Sequence, residues 1–586
     1  MRYSLVIIFV SISFFARAQG LRVSGKMLID KTGKEIILRG IGLGGWMLQE
    51  PYMLQLSGAA VAQYDIKQKI KKEIGDEKTQ DFYNAWLTNH CQKADIDSLA
   101  SWGFNSVRLP MHFNLYTLPI EEEPVAGDNT WLDKGFALTD SLLSWCKANS
   151  IYLILDLHAA PGGQGNDAAI SDRDTTKPSL WQSEANQQKT VALWKKLAER
   201  YKNEEWMGGY DLINEPNWGF QKASDKNGCD EKENLPLSKL LKEITTAVRQ
   251  VDPHHIIFIE GNCWGNNYAG MLPFPVANTV ISFHKYWNYN NVADIQKFLD
   301  IREKYNVPIW MGESGENSNA WFTDAISLFE KHKIGWAWWP LKKLGFNNPL
   351  QVKVNAGYQQ LLNYWKGNGT KPSSEEAAKA LMQLTEDSKI ENTIYQKDVI
   401  DAMLRQVNSA STLPFKNNTV PGTAIIYATD YDLGRSGIAY HDKDSANYRV
   451  ATGKNTAWNK GRVYRNDGVD IEKITDSLSN GFGVTQTEAG EWLQYTVNVS
   501  TAGNYYINFR SASKDSTAKL QLLINDQLVS TTILLPPTGD DTKWNTTSEK
   551  KTIRLRKGIN KVRIKILSGG FNLNYLLFEP ATSAKK

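Results

Sequence analysis

The chain has 586 residues, more than one typical domain, and its 41% hydrophobic and 22% charged content excludes wholesale disorder and a multi-span membrane protein. With 67 basic against 63 acidic residues the net charge is only +4, too weak a basic excess for a nucleic-acid partner. Its four cysteines lack the spacing of a zinc site. At the N-terminus Arg2 precedes an apolar run over 5–16, and Ala16-Arg17-Ala18 is a small-x-small cleavage site. This pattern predicts a signal peptide over 1–18 and therefore a secreted or periplasmic protein. No later stretch is long and apolar enough to span a bilayer, and a monomer is expected.

From residue 36 to 341 one theme repeats: a short β-branched or aromatic run ends in polar or glycine-rich residues, and a helical pattern follows. The runs are 36–44, 104–110, 152–158, 208–214, 255–261, 280–286, 308–314 and 335–341. Eight strands alternating with helices predict a (β/α)₈ TIM barrel, within a domain spanning 19–407. A doubly wound open sheet is the alternative, but no glycine-rich phosphate loop opens any of the helices. Residues 373–407 read as helical, with Ser373-Ser374-Glu375-Glu376 as a start signal, and are assigned to the barrel's last helix. The Ser/Thr/Asn/Pro-rich stretch 408–422 reads as a linker. From 423 to 586 helical periodicity gives way to short alternating strands, such as 492–499, 504–511, 519–524 and 561–567, which predict an all-β, jelly-roll-like sandwich. Cys229 and Cys263 follow two successive strands at the same end of the barrel, so a loop-clamping disulfide is expected. Cys91 and Cys146 fall in helical patterns, as core residues do.

The active site of such a barrel lies at the C-terminal ends of its strands. The residues there are Arg108, His158, Asn214-Glu215, His284, Tyr286, Glu313 and Trp338, polar or aromatic where a structural strand would simply turn. Glu215 after the fourth strand and Glu313 after the seventh form the carboxylate pair that glycoside cleavage needs: one protonates the departing oxygen, and the other attacks the anomeric carbon or activates water. Glu316 is the rival nucleophile, but it lies beyond the strand end. The chain's 20 Trp and 24 Tyr suit stacking on sugar rings and equally suit a large core. Two histidines without a third converging ligand fall short of a zinc site, and no Gly-x-Ser-x-Gly elbow is present, so neither metal nor cofactor is expected.

The ordered set Leu38-Arg39-Gly40, Ser106-Val107-Arg108-Leu109-Pro110, Leu155-Asp156-Leu157-His158, Leu212-Ile213-Asn214-Glu215-Pro216, His284-Lys285-Tyr286, Gly312-Glu313-Ser314 and Trp336-Ala337-Trp338 resembles glycoside hydrolase family 5. The stretches 39–46 and 156–164 are similar to its branch of exo-acting β-1,3-glucanases. The resemblance implies Glu215 as acid/base, with a raised pKa, and Glu313 as an ionised nucleophile favoured by Arg108 and the Tyr286 hydroxyl. It implies Asn214 on the sugar 2-hydroxyl, His158 and His284 as orienting groups, and Trp338 as the sugar platform. Structural readings stand beside these: Arg108 as a buried ion-pair partner, His158 as a core histidine paired with Asp156, Trp338 as core.

Within 423–586, Tyr464 to Glu472, Ala489 to Val497 and Gly569 to Tyr575 resemble carbohydrate-binding module family 6, in which an aromatic pair and an Asn grip a sugar. Tyr464 and Asn572 match those positions, and Trp544 is the candidate second aromatic. Tyr427-Ala428-Thr429 stands where the family carries acidic residues, so no calcium is expected. Together these resemblances imply a secreted retaining hydrolase of β-1,3- or mixed-linkage β-glucan with a polysaccharide-binding module. An endo-β-1,4-glucanase, a glucan transglycosylase and a non-catalytic glycan-binding protein are the alternatives.

Overall fold

The computed structural model describes residues 20–222, 224–286, 288–443, 458–514, 518–548 and 550–581, so the signal expected over 1–18 lies outside them. Eight strands close into a parallel barrel: β1 (Arg39–Gly42), β2 (Ser106–His112), β3 (Tyr152–Ala159), β4 (Met207–Asp211), β5 (Ile256–Glu260), β6 (Thr279–His284), β7 (Ile309–Gly315) and β8 (Gly335–Trp339), with β8 pairing back onto β1. All eight expected strands are present, and the (β/α)₈ class holds.

Alternation along each strand sorts its residues. Ile154, Ile256, Phe258, Val280, Trp310 and Ala337 fill the lower interior of the barrel. Their neighbours Val107, Leu109, Leu153, Leu155, Ile257 and Ile259 belong to the core shared with the helices. The inward rows continue upward as Arg108, Asp156, Asp211 and Glu260, all buried. The same period of two that builds the apolar core therefore lifts charged side chains to the mouth.

Register shifts interrupt the period at several barrel strands, and one of them falls beside Glu313. On β6, Phe283 and His284 oppose Met311 and Glu313 of β7, so Gly312 is an extra residue, a β-bulge. Strict alternation from Trp310 would turn Glu313 toward the helices; the bulge returns it to the mouth. A Cβ on residue 312 would sit 2.3 Å from the Ser282 hydroxyl and 3.1 Å from His284 Nε2, so only glycine fits there.

The helical stretch after the barrel starts where expected: Ser373 caps helix Ser374–Asp387, with Glu376 closing the capping box. This helix does not cover the barrel strands. Its Leu381 and Leu384 pack with Ile66, Ile70, Phe82 and Trp86 of helix Gln63–Asn89 in a separate core. Among the described residues no helix is long and apolar enough to cross a membrane.

The C-terminal domain is mostly β: among the described residues two sheets of seven strands enclose a core that includes Tyr495, Phe509, Leu520, Ile564 and Phe578. The stretch read as a linker contributes a strand of its own, Asn418–Val420, parallel to Val497–Val499. The two domains share a buried polar seam. Asp398, on the barrel-side helix Lys397–Met403, accepts from the Asn466 backbone N–H of the sandwich at 2.7 Å and has Asp467 nearby. Burial, then the charge of Asp467, pushes the Asp398 carboxyl up to about 6. Its native pKa thus exceeds the unfolded value of about 4, so this group stabilises the fold most below pH 4, and the contribution is lost as pH rises through 6. Asp398→Asn is expected to melt higher relative to the parent at pH 7 than at pH 4. A melting difference that stays constant across that range would refute the assignment.

Candidate active site

Arg108 is the hub of the barrel mouth. Its guanidinium donates to Glu313 at 2.8 Å, to Asn214 Oδ1 at 2.8 Å, to Asp211 at 3.0 Å and to Glu260 at 3.1 Å, and lies 3.2 Å from Asp156. The residue is 1% exposed. A fixed planar fork of five donors can satisfy this many acceptors, whereas a lysine cannot. Burial disfavours the Arg108 charge, but the surrounding carboxylates outweigh it and hold the guanidinium protonated. Burial, then Glu260, drives Asp211 well above the usual carboxylate range.

Above this layer Glu215 and Glu313 face each other. Together with His284 they place one atom each within 4.8 Å of one another. Glu215 follows β4 in a left-handed backbone conformation, φ 43°, and its own N–H is held by Glu260 at 2.7 Å. Such a conformation costs a non-glycine residue about 1–3 kcal/mol and aims its side chain into the mouth. The carboxyl lies 2.6 Å from His284 Nδ1, while His284 Nε2 lies 3.2 Å from Glu260. Burial raises the Glu215 pKa, and the adjacent His284 opposes the rise without cancelling it. Burial alone would lower the His284 pKa; flanked by Glu260 and Glu215 it stands well above the imidazole range. The Glu215–His284 pair therefore keeps a proton between its two members. Glu313 is different: it accepts from the Arg108 guanidinium and, at 2.9 Å, from the Tyr286 hydroxyl. Its two oxygens thus serve as acceptors. The Glu215–His284–Glu313 cluster has a spacing compatible with a cation, and Arg108 already brings positive charge to Glu313.

The mouth opens into a cavity of about 450 Å³ lined by Glu50, Tyr52, His158, Glu215, Trp264, His284, Tyr286, Glu313, Glu316 and Trp339, among others. His158 is held by Asp156 at 2.7 Å and meets the Asn214 amide at 3.3 Å, so the partner expected from the strand face and the site role coexist. Trp338 is a correction. It is 1% exposed and packs edge-on to Phe322 and Trp336 in the helix layer. Trp339 lines the cavity instead, stacked on His158 with ring centroids 5.0 Å apart and planes 5° from parallel. Parity along β8 is the available signal: Ala337 points inward, so Trp339 must too. Sequence reasoning also misses Glu50, Tyr52, Glu260 and Trp264. Glu260 ends an inward row and is recoverable; the others depend on loop shape.

Trp264 is presented by a constrained loop. Cys263 and Trp264 both have left-handed φ, 54° and 53°, and Cys229–Cys263 is a disulfide, as expected from the sequence. Asn262 ties the same loop to the Trp218 carbonyl at 2.8 Å and to Asn234 at 2.8 Å. The disulfide closes a span of 34 residues, worth about 3–4 kcal/mol through the unfolded chain. The Cys229→Ser/Cys263→Ser double variant is expected to melt several degrees lower than the parent and to show a raised KM for substrates that reach Trp264, with kcat changed less. An unaltered KM would separate the bridge from the site.

On the sandwich, Trp544 and Asn572 line a groove of about 310 Å³ with Glu472, Lys473, Asp541 and Thr542. Tyr464 is not part of it and corrects the expected trio. Its ring packs on Phe482 and Phe415, and its hydroxyl donates to Asp430. Phe415, which its ring meets, belongs to the 408–422 segment.

A (β/α)₈ barrel with this mouth, taken with its relatives, defines a glycoside hydrolase. Residues 68–345 match the model of the family described as Cellulase (glycosyl hydrolase family 5), so the barrel carries a domain of that family. Residues 465–578 match the model described as Carbohydrate binding module (family 35). The module is therefore of the family 35 type, which corrects the resemblance to family 6. The chain is 27% identical over 377 residues to a protein named Beta-xylosidase from Phanerodontia chrysosporium, covering 58% of this chain and 74% of that one. It is 24% identical to Endoglucanase C of Acetivibrio thermocellus, covering 52% and 92%. Over a shorter stretch, 31% of this chain and 42% of the relative, it is 29% identical to the probable glucan 1,3-beta-glucosidase A of Aspergillus niger.

Proposed function

We propose that the barrel hydrolyses β-glucosidic bonds with net retention, Glu215 serving as acid/base and Glu313 as nucleophile. The observation that carries this reading is the pair itself: one oxygen of each carboxylate lies within 4.8 Å of the other, Glu215 stands 2.6 Å from His284 Nδ1, and Glu313 accepts from Arg108 and Tyr286. Retaining pairs stand about 5–5.5 Å apart, whereas inverting pairs leave room for water at about 6.5–9.5 Å. In the first step Glu313 attacks the anomeric carbon as Glu215 gives its proton to the departing oxygen. In the second, Glu215 takes a proton from water, the water oxygen bonds the anomeric carbon, and Glu313 leaves as carboxylate. In this reading Asn214, held by Arg108 and beside His158, takes the sugar 2-hydroxyl, and Trp339 replaces Trp338 as the platform.

The substrate reading is a β-1,3- or mixed-linkage β-glucan, attacked at a chain end. A cavity of about 450 Å³ lies at the lower end of the ligand-pocket range of about 300–1,000 Å³ and suits a short sugar segment better than a chain passing through. The name of the Phanerodontia relative brings a second reading, a β-xyloside, which lacks only the hydroxymethyl group. Anomeric proton signals followed during hydrolysis of laminarin, lichenan, carboxymethylcellulose and xylan test both. The β-anomer of glucose is expected first, from laminarin or lichenan. A first-formed α-anomer would overturn the retaining assignment, and exclusive cleavage of xylan would overturn the glucan reading.

A further inference from the structure

The sandwich is built into the rim of the active site. Asn466, fully buried, directs all its polar groups but the side-chain oxygen across that junction. Its side-chain amide donates to the Asn317 carbonyl at 2.9 Å and to Asn319 Oδ1 at 3.1 Å. Its side-chain oxygen accepts from the Trp458 indole at 2.9 Å, and its carbonyl accepts from the Asn319 N–H at 2.9 Å. Its own N–H goes to Asp398. Asn319 closes the circuit, donating to Asp398 at 2.7 Å and to Asp467 at 3.0 Å. Trp458 also packs on Phe346, in the barrel segment that follows β8.

What Asn466 grips is the loop that leaves β7 two residues after Glu313. Glu316 of that loop lines the cavity in a left-handed conformation, φ 55°, and pairs with Lys343. Asn319 then starts helix Asn319–Lys331. Within its first turn the Trp321 carbonyl accepts from Asn290 at 3.1 Å, and the Trp321 indole donates to the Asn288 carbonyl at 3.0 Å. Asn288 and Asn290 belong to the segment after β6 that carries Tyr286, the donor to Glu313. The sandwich thus braces the 316–319 loop through buried hydrogen bonds, and Trp321 passes the contact on to the loop that carries Tyr286 through part-buried ones. A displacement of about 1 Å in such a constellation costs on the order of 10²-fold in rate.

We propose that Asn466 of the carbohydrate-binding module is a positioning residue for the barrel, holding the 316–319 loop so that Glu313 and Tyr286 stay aligned. The module then contributes to turnover of small soluble substrates, a role separate from raising the local concentration of polymer. This rests on the assignment of Glu313 as nucleophile. The test is Asn466→Ala in the full chain, with 4-nitrophenyl β-D-glucoside as substrate and hydrogen exchange of residues 316–321 as a readout independent of activity. Expected are a roughly 10-fold lower kcat with KM within about twofold, and exchange at 316–321 at least about 10-fold faster while β1 to β5 stay protected. Adding Asn319→Ala should lower kcat little further, since both residues serve one contact. Trp458→Phe, which removes the indole N–H and part of the ring packed on Phe346, is the milder variant should Asn466→Ala misfold; about a threefold loss of kcat is expected. An unchanged kcat, with or without faster exchange, overturns the proposal. If the parent chain cleaves neither the aryl glycoside nor any of the four polysaccharides, the functional reading falls instead, and exchange alone decides the brace: unchanged protection refutes it.

Discussion

Glu313→Ala is expected to lower kcat by about 10⁴-fold or more, equivalent to at least about 5 kcal/mol of transition-state stabilisation. The proposed double displacement has no first step without this carboxylate, and no neighbouring group is positioned to replace it. Glu316 is tied to Lys343 beyond the strand end, and Glu215 stands on the opposite face, next to His284. The variant should still fold. Arg108 keeps Asp156, Asp211, Glu260 and Asn214 as partners when Glu313 is gone, so no unpaired charge is left buried. Azide fills the space vacated by the side chain, and a single displacement with added azide should restore turnover of an activated aryl glycoside and yield the α-glycosyl azide. Residual activity above about 1% of the parent without azide, or a β-glycosyl azide product, would show that another group is the nucleophile.

The second large effect depends on the leaving group. Glu215→Ala is expected to cost about 10²–10⁴-fold on polysaccharide, the range a positioned general acid supplies, and far less on a dinitrophenyl glycoside, whose departing oxygen needs no proton. The pH profile carries the same signature. Burial lifts the Glu215 pKa above the value of a free glutamate, so the acid form survives to higher pH, and activity falls as pH climbs through that raised value. In the variant this alkaline limb should disappear while the acid limb remains. An equal loss on both substrates, or an unchanged alkaline limb, would move the acid role elsewhere, with His284 as the first alternative.

How far the fold and the site are legible in the amino-acid order depends on the kind of signal. The eight runs are legible because each strand buries one face against the helices and must keep its apolar residues in step. The disulfide is legible because two loops at one end of a barrel bring Cys229 and Cys263 together. Trp338 departs from expectation although its own strand holds the answer, since parity from Ala337 selects Trp339. Tyr464 departs for a different reason: matching a motif says which residue occupies a position, not that Phe415 will pack against its ring.

Local order along the chain thus determines the barrel, the sandwich and the pair Glu215 and Glu313, because periodicity and strand-end chemistry are properties of neighbours in sequence. Tertiary structure alone decides which groups surround that pair: the Arg108 hub reaching across four other strands, the Gly312 bulge that turns Glu313 inward, Glu50 and Trp264 at the rim, and Asn466 arriving from the second domain. The reason is physical. Hydrogen-bond partners separated by about 150 residues, such as Asn317 and Asn466, leave no periodic trace, and their pairing is set by how two packed domains fit.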